Sequence, residues 1–189
     1  MIVSFSGNPG SGKSVIAERL AGKLNYPHYY IGSIWREMAK KHGLDVVAFS
    51  KLNENNPDKD KEVDEYQRQL GKDQDKFVIE GRTSWYFIPH SLKIYLYVSP
   101  EEGAKRIFGS LQKKNNRNEG GGLNTWEDVL ESNKRRVDSD SGRYKQFYGI
   151  DVFDPKNYDF FLDTTNLSPD KVFEAVYAFV EENLDKAKI

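Results

Sequence analysis

The sequence predicts an α/β fold in which a parallel sheet of about five strands carries helices on both faces. The first observation behind this prediction is the alternation of short apolar segments with longer amphipathic ones along the chain. Such alternation is typical of βαβ units, whose crossover helices cover a parallel sheet on both sides. The second is a glycine-rich octapeptide between the first apolar segment and the first amphipathic one. At 189 residues, the chain is long enough for one such domain, residues 1–189.

Composition and charge narrow the class of protein. Hydrophobic residues make up 38% and charged residues 30%, as in soluble globular proteins. A formal net charge of -1 argues against a broad nucleic-acid-binding face, and no apolar run approaches the ~20 residues of a membrane span. The absence of cysteine excludes disulfides and cysteine-based zinc sites. A strand pattern starts at Met1 and leaves no room for a signal peptide, so we expect a cytoplasmic protein.

The glycine-rich octapeptide fits the phosphate-binding P-loop pattern G-x-x-x-x-G-K-[ST]. A strand pattern precedes it and a helical pattern, Ser14–Leu24, follows it, which is the context that the motif requires. Glycine tolerates positive φ and lets the backbone approach a phosphate closely. We expect Lys13 to reach the β- and γ-phosphates of ATP and the Ser14 hydroxyl to ligate Mg²⁺. The predicted ATP-binding residues are Gly7, Asn8, Pro9, Gly10, Ser11, Gly12, Lys13 and Ser14.

Between the P-loop helix and the next buried strand, the chain is mostly helical and polar. The predicted elements are a strand Tyr26–Ile31, a helix Ile34–His42 with Ser33 as N-cap, a short helix Leu44–Leu52, a loop 53–57 and a charged helix Asp58–Leu70. On the residues alone, Arg36 has two interpretations. It is either a solvated surface charge or a side chain that faces the region at the start of its helix.

The buried strand Lys76–Ile79 is followed directly by Glu80-Gly-Arg82. Ligands bind at the carboxyl ends of strands in open α/β sheets. Glu80 and Arg82 are therefore candidate site residues, with a loop salt bridge as the alternative.

The second half of the chain repeats the strand–helix alternation. The first predicted elements are a strand Leu92–Val98, a helix Glu101–Gln112 capped by Ser99, and a polar segment 113–122. A helix from Asn124 to about Val137 and a strand Tyr158–Leu162 follow. The last helix is opened by Ser168-Pro169, and its predicted buried stripe consists of Val172, Val176, Phe179 and Val180. Three arginines, Arg135, Arg136 and Arg143, follow the glycine-rich part of this region. We interpret the region from about 113 to 143 as a lid inserted into the fold.

These motifs resemble the nucleoside monophosphate kinases, and in particular the archaeal-type cytidylate (CMP/dCMP) kinases. The resemblance covers nearly the whole chain and rests on the P-loop, Gly32–Ala39, Asp64-x-x-Gln67, Val78–Arg82, the run from Arg136 through Arg143-Tyr144 to Tyr148-Gly-Ile-Asp151, and Leu167-Ser-Pro169. The sequence departs from the family at Ser33, in Thr83-Ser-Trp-Tyr and in the long polar segment 113–122.

The resemblance implies a role for each matching residue. Arg36 and Arg82 bind the phosphate of the acceptor, in a helical acceptor segment of residues 32–72, and Asp64 and Gln67 also contact this substrate. Arg136 and Arg143 close from the lid and join Lys13 as catalytic residues. Ser14 holds Mg²⁺, and we expect Glu80 to order its bound water. Guanidinium groups suit these roles because they bind phosphate oxygens bidentately and stay charged.

The sequence thus predicts a magnesium-dependent transfer of the γ-phosphoryl group of ATP to CMP or dCMP. We expect a monomer whose partners are small nucleotides, with neither nucleic acid nor membrane. One alternative is a kinase of the same fold for another acceptor, such as AMP, UMP, shikimate or dephospho-coenzyme A. The other is a P-loop nucleotide switch or NTPase without kinase activity.

Overall fold

The computed structural model describes residues 1–52, 58–112 and 123–186. Its sheet has five parallel strands in the order β2-β3-β1-β4-β5. Parallel strands end at a common edge, so the segments that follow β1 and β3 emerge side by side. The predicted α/β fold is confirmed. The strands are β1 (Val3–Gly7), β2 (His28–Tyr30), β3 (Val78–Glu80), β4 (Leu92–Tyr97) and β5 (Phe160–Asp163).

Helices cover both faces of the sheet because side chains alternate along each strand. In β3, Val78 belongs to the apolar cluster that includes the first and last helices, whereas Ile79 belongs to the cluster on the other face. The helices are α1 (Lys13–Leu24), α2 (Ile31–Lys41), α3 (Val46–Leu52), α4 (Asp58–Asp73), α5 (Ser84–Phe87), α6 (Pro100–Leu111), α7 (Trp126–Tyr148) and α8 (Pro169–Lys186), with a 3₁₀ turn at Pro155–Asn157.

The predicted helix starts are confirmed where a capping side chain precedes the helix. The Ser99 hydroxyl accepts a hydrogen bond from the amide of Glu102 at 3.4 Å, before α6. Thr125 and Asp128 form a reciprocal capping box before α7. On α8, Val172, Val176 and Val180 are buried as predicted, whereas Phe179 is partly buried against the same core. Among the helices that the structure describes, none is long and apolar enough to cross a bilayer.

The start of α2 differs from the prediction. The helix begins at Ile31 with Tyr30 as N-cap, and Ser33 lies in its first turn. The Ser33 hydroxyl donates a hydrogen bond to the carbonyl of Tyr30 at 2.7 Å, so it does not cap the helix. The preceding strand is correspondingly short, and Tyr30 is brought to the end of β2 at the ligand edge of the sheet.

The end of α7 also differs, since the helix runs eleven residues beyond the predicted end at Val137 to Tyr148. The polar run Asp138–Gly142 reads as a helix stop in the sequence. It stays helical because Asp140 is buried and forms ion pairs with two arginines. The short helix α5 was not predicted. The predicted loop 53–57 and the polar segment 113–122 lie outside the described residues.

Candidate active site

The P-loop joins the end of β1 to the start of α1, and its glycines are required by their surroundings. Gly7, Gly10 and Gly12 have φ values of 150°, 82° and 82°. A Cβ at Gly7 would lie 2.1 Å from the carbonyl oxygen of Leu96. A Cβ at Gly10 would lie 2.3 Å from that of Gly103. At Gly7 and Gly10, only glycine fits both the backbone conformation and the close packing. At Gly12 no atom lies within 4 Å of the Cβ position, and the positive φ alone favours glycine.

Asn8 organises the inside of the loop. Its carbonyl accepts hydrogen bonds from the amide of Ser11 at 3.2 Å and from Lys13 Nζ at 3.3 Å. Its side-chain oxygen accepts one from the Tyr95 hydroxyl at 2.9 Å. With the loop fixed in this way, the first turn of α1 presents its free amides to the space above the sheet. A helix start of this kind binds anions.

Lys13, Ser14 and Glu80 meet at this helix start. The pKa of Lys13 is lowered to about 7, mainly because the side chain is buried. The negative charge of Glu80 acts against this decrease, and the positive charges of three neighbouring arginines add to it. Burial raises the pKa of Glu80, against the opposing effects of Lys13 and of the Ser14 hydroxyl. The group thus combines buried positive charges with one buried carboxylate. Bound phosphates would supply the negative charge that favours the protonated form of Lys13.

A cavity of about 250 Å³ extends from the P-loop to α2, α4 and α7. The structure brings most of the predicted site residues to its wall. Those lining it are Pro9, Gly10, Gly12, Lys13, Ser14, Arg36, Asp64, Glu80, Arg82, Arg136 and Arg143. The other predicted residues, Gly7, Asn8, Ser11 and Gln67, do not line the cavity.

Arg82 and Arg143 share one buried carboxylate, that of Asp140, which is 1% exposed. Arg143 Nη2 lies 2.8 Å from Asp140 Oδ1, and Arg82 forms an ion pair with Asp140 Oδ2. The Arg143 guanidinium also lies 5.1 Å from the centre of the Trp35 ring. Arg82 therefore both lines the cavity and forms a salt bridge, so the two alternatives for this residue do not exclude each other.

Arg36 is partly buried and lines the cavity, which rules out a fully solvated surface charge. Its Nη1 donates hydrogen bonds to the hydroxyl of Tyr30 and, at 3.5 Å, to the carbonyl of Gly32. Arg135 differs from its neighbour Arg136. Its side chain is 60% exposed and pairs with Glu131 at 3.5 Å on the outer face of α7.

Asp64 lies at the cavity wall within a buried polar network. Its Oδ1 accepts hydrogen bonds from Gln67 Nε2 at 3.2 Å and from the Thr83 hydroxyl at 3.4 Å. Gln67 Oε1 accepts one from the Ser84 hydroxyl at 2.6 Å. Asp64 Oδ2 accepts one from the Tyr148 hydroxyl. Gln67 is completely buried behind Asp64, so it reaches the cavity only through Asp64 and Thr83.

Sequence reasoning missed several residues of this site. Asp140 and Tyr144 line the cavity from α7, and Arg106 lines it from α6 while donating to the carbonyl of Thr164 at 2.8 Å. A signal for the first two was available. Arg136, Asp140 and Tyr144 follow one another at intervals of four, a spacing that places them on one side of a helix.

The residues present fit a magnesium ion. Both carboxylate oxygens of Glu80 are buried, and neither accepts a hydrogen bond that meets the usual distance and angle limits. The Ser14 hydroxyl lies beside them. Mg²⁺ prefers hard oxygen ligands and is typically held by one or two side chains, waters and substrate phosphates. The described residues contain no group of three or more acidic, histidine or cysteine side chains that would bind a metal by themselves.

The chain is similar to proteins of known family. Residues 2–166 match the cytidylate kinase-like family. The chain is 34% identical to the cytidylate kinase of Methanopyrus kandleri, over 98% of this chain and 96% of that one. It is 32% identical to the cytidylate kinase of Methanocorpusculum labreanum, over 98% and 99%.

Among solved structures, a shikimate kinase from Bacteroides thetaiotaomicron is similar in fold, with a TM-score of 0.61, 14% identity and 98% of both chains covered. At this identity the likeness concerns the fold alone. The sequence matches extend over the P-loop, α2, the end of β3 and α7 together. The chain therefore belongs to the cytidylate kinase-like family of nucleoside monophosphate kinases.

Proposed function

We propose that the chain transfers the γ-phosphoryl group of ATP to CMP or dCMP, in a reaction that requires Mg²⁺, and releases ADP with CDP or dCDP. One observation carries the proposal. A single cavity is lined by Lys13 of the P-loop and by five arginines from α2, the end of β3, α6 and α7. Two phosphorylated substrates repel each other, and six cations around one space offset that repulsion.

The donor would bind at the P-loop. The loop amides and Lys13 would hold its β- and γ-phosphates, while Ser14 and Glu80 would hold Mg²⁺. The ion would supply neutralisation of the charge that develops on the transferring group. Arg136 and Arg143, which lie on the cavity face of α7, would contact the same group from the opposite side.

The acceptor phosphate would bind to Arg36 and Arg82. Arg36 lies on α2 and Arg82 follows β3, so the two guanidiniums converge from different elements on one cavity. A phosphate monoester is already an anionic nucleophile, and the reaction needs positioning more than proton abstraction. We therefore propose no general base.

Asp64 would read the acceptor base. A carboxylate only accepts hydrogen bonds, so it suits the 4-amino group of cytosine and opposes the carbonyl oxygen that uracil has at this position. A site that accepts a hydrogen bond from the substrate rejects an analogue without the N–H group, because the buried acceptor of the site is then left unpaired. This contact supports CMP and dCMP over UMP.

Turnover with a panel of acceptors tests the proposal. ADP release would be measured with CMP, dCMP, UMP, AMP, GMP, shikimate and dephospho-coenzyme A at saturating MgATP. We expect kcat/KM for CMP or dCMP to exceed that for UMP by about a hundredfold or more. Preference for a non-nucleotide acceptor, or ATP hydrolysis that no acceptor stimulates, would contradict the proposal.

The region from about 113 to 143 is proposed as the lid, although its residues 113–122 lie outside the described part of the chain. The arginines that it would carry, Arg136 and Arg143, lie on α7. The expectation of a monomer stays a prediction that gel filtration can test.

A further inference from the structure

A hydrogen bond joins the end of α7 to Asp64, the carboxylate proposed to read the base. The hydroxyl of Tyr148 donates to Asp64 Oδ2, across 84 positions of sequence. Asp64 is 3% exposed and lines the cavity, whereas Tyr148 does not line it. Tyr148 therefore acts on the cavity only through the side chains that it contacts.

Different donors act on the two oxygens of Asp64. Oδ1 accepts hydrogen bonds from Gln67 at 3.2 Å and from Thr83 at 3.4 Å. Oδ2 accepts one from the phenol of Tyr148. Because donors hold both oxygens, the rotation of the carboxylate about its Cβ–Cγ bond is restricted, and Tyr148 contributes to this restriction at Oδ2.

Tyr148 is itself fixed by aromatic packing. Its ring meets Phe87 edge-on at 5.3 Å between centroids and lies 6.0 Å from the ring of Tyr86. On its own helix it stacks with Tyr144 at 6.4 Å, one turn earlier. A side chain held on several sides keeps its hydroxyl in one place and can orient a neighbouring group.

We propose that Tyr148 is a positioning residue for the acceptor base: it fixes the direction of the Asp64 carboxylate and thereby enforces the preference for an amino-bearing pyrimidine over one with a carbonyl. This inference rests on the proposed function and adds a residue that touches neither substrate. Without the phenol, the carboxylate can rotate away from the base or recruit water, and its contact with the 4-amino group weakens.

Tyr148 lies on the same helix as two of the cavity arginines. Arg136 precedes it by twelve residues on α7, about 18 Å along the axis, and Arg143 by five. Helix α7 therefore connects the residue that orients Asp64 with the two arginines proposed to contact the transferring group.

Steady-state kinetics of Tyr148→Phe, with CMP and UMP as acceptors, test the inference. We expect KM for CMP to rise about tenfold while kcat and KM for ATP stay within about twofold, because a base contact is weakened and the phosphate site is unchanged. The ratio of kcat/KM for CMP to that for UMP should fall by a similar factor. Tyr86→Phe is the matched control: it removes a partly exposed hydroxyl from an adjacent ring and should leave all these values unchanged.

A double-mutant cycle separates orientation from general stability. In an Asp64→Ala background, Tyr148→Phe should change KM for CMP by less than about twofold, because its target is gone. If Asp64→Ala does not fold, the ratio in the single variant and its control still decide the question.

The possible failures are distinguishable. A folded Tyr148→Phe enzyme with an unchanged CMP-to-UMP ratio overturns the inference and leaves the proposed function standing. Equal losses with CMP, UMP and ATP make Tyr148 structural and also overturn it. Absence of wild-type turnover with CMP and dCMP overturns the proposed function, and the inference with it.

Discussion

Replacing Arg82 by alanine tests the acceptor phosphate site, and the structure allows the result to be worked out in two parts. The first part is the lost phosphate contact. A charge-assisted hydrogen bond to phosphate contributes about 1.5–3 kcal/mol, so kcat/KM for CMP at saturating MgATP should fall about 10- to 150-fold. The affinity for ATP should hardly change, because the P-loop builds the donor site.

The second part is stability. Arg82 and Asp140 form a buried ion pair, with side chains 14% and 2% exposed. Breaking a buried pair from one side costs about 3–5 kcal/mol, and the low end applies because Arg143 still neutralises Asp140. In a protein of this size, about 3 kcal/mol corresponds to a decrease in Tm of roughly 6–12 °C.

Arg82→Lys separates the two parts. It keeps a cation beside Asp140, so most of the Tm should be retained, as measured by thermal unfolding. The activity should recover only in part, since an ammonium cannot make the bidentate contact with the phosphate. If Arg82→Lys regained both Tm and kcat/KM, or if Arg82→Ala weakened ATP and CMP equally, the assignment of Arg82 to the acceptor would be wrong.

Three further predictions concern the donor, the metal and the lid. Because burial lowers the pKa of Lys13 to about 7 and bound phosphates favour its protonated form, ATP binding at pH 8 should take up close to one proton, and none at pH 5.5. Calorimetric titrations in buffers of different ionisation enthalpy measure this uptake, and heats that do not depend on the buffer would contradict it. Glu80→Gln should raise the Mg²⁺ concentration that gives half-maximal activity about tenfold, because one of the groups that hold the metal is altered. An unchanged Mg²⁺ titration would show that Glu80 does not belong to the metal site. A bisubstrate analogue should slow amide hydrogen exchange between about residues 113 and 143, as lids do when they exclude water, and unchanged exchange there would argue against a lid.

The sequence by itself determined the features of this protein that depend only on residues close together along the chain. The P-loop is local in this sense, because its glycines, Lys13 and Ser14 lie within one turn and the first helix that follows. The alternation of strands and helices, the cap at Ser99, and the buried stripe of α8 are also set by short-range spacing. These features were predicted for that reason.

The end of α7 was predicted less well, because burial overrode local preference. The run Asp138–Gly142 has the composition of a turn, yet it remains helical once Asp140 is paired inside the protein. Propensity is a small term, and a buried ion pair or a packed face outweighs it.

Only the tertiary structure decided which charged and polar groups meet. Asp140 contacts Arg82, and Tyr148 contacts Asp64, although both pairs are far apart along the chain. Such pairings follow from the order of strands in the sheet and from the path of α7 over the cavity, which no local pattern encodes. The sequence supplied the cations of the site, and the fold determined which carboxylates hold them and which tyrosine orients Asp64.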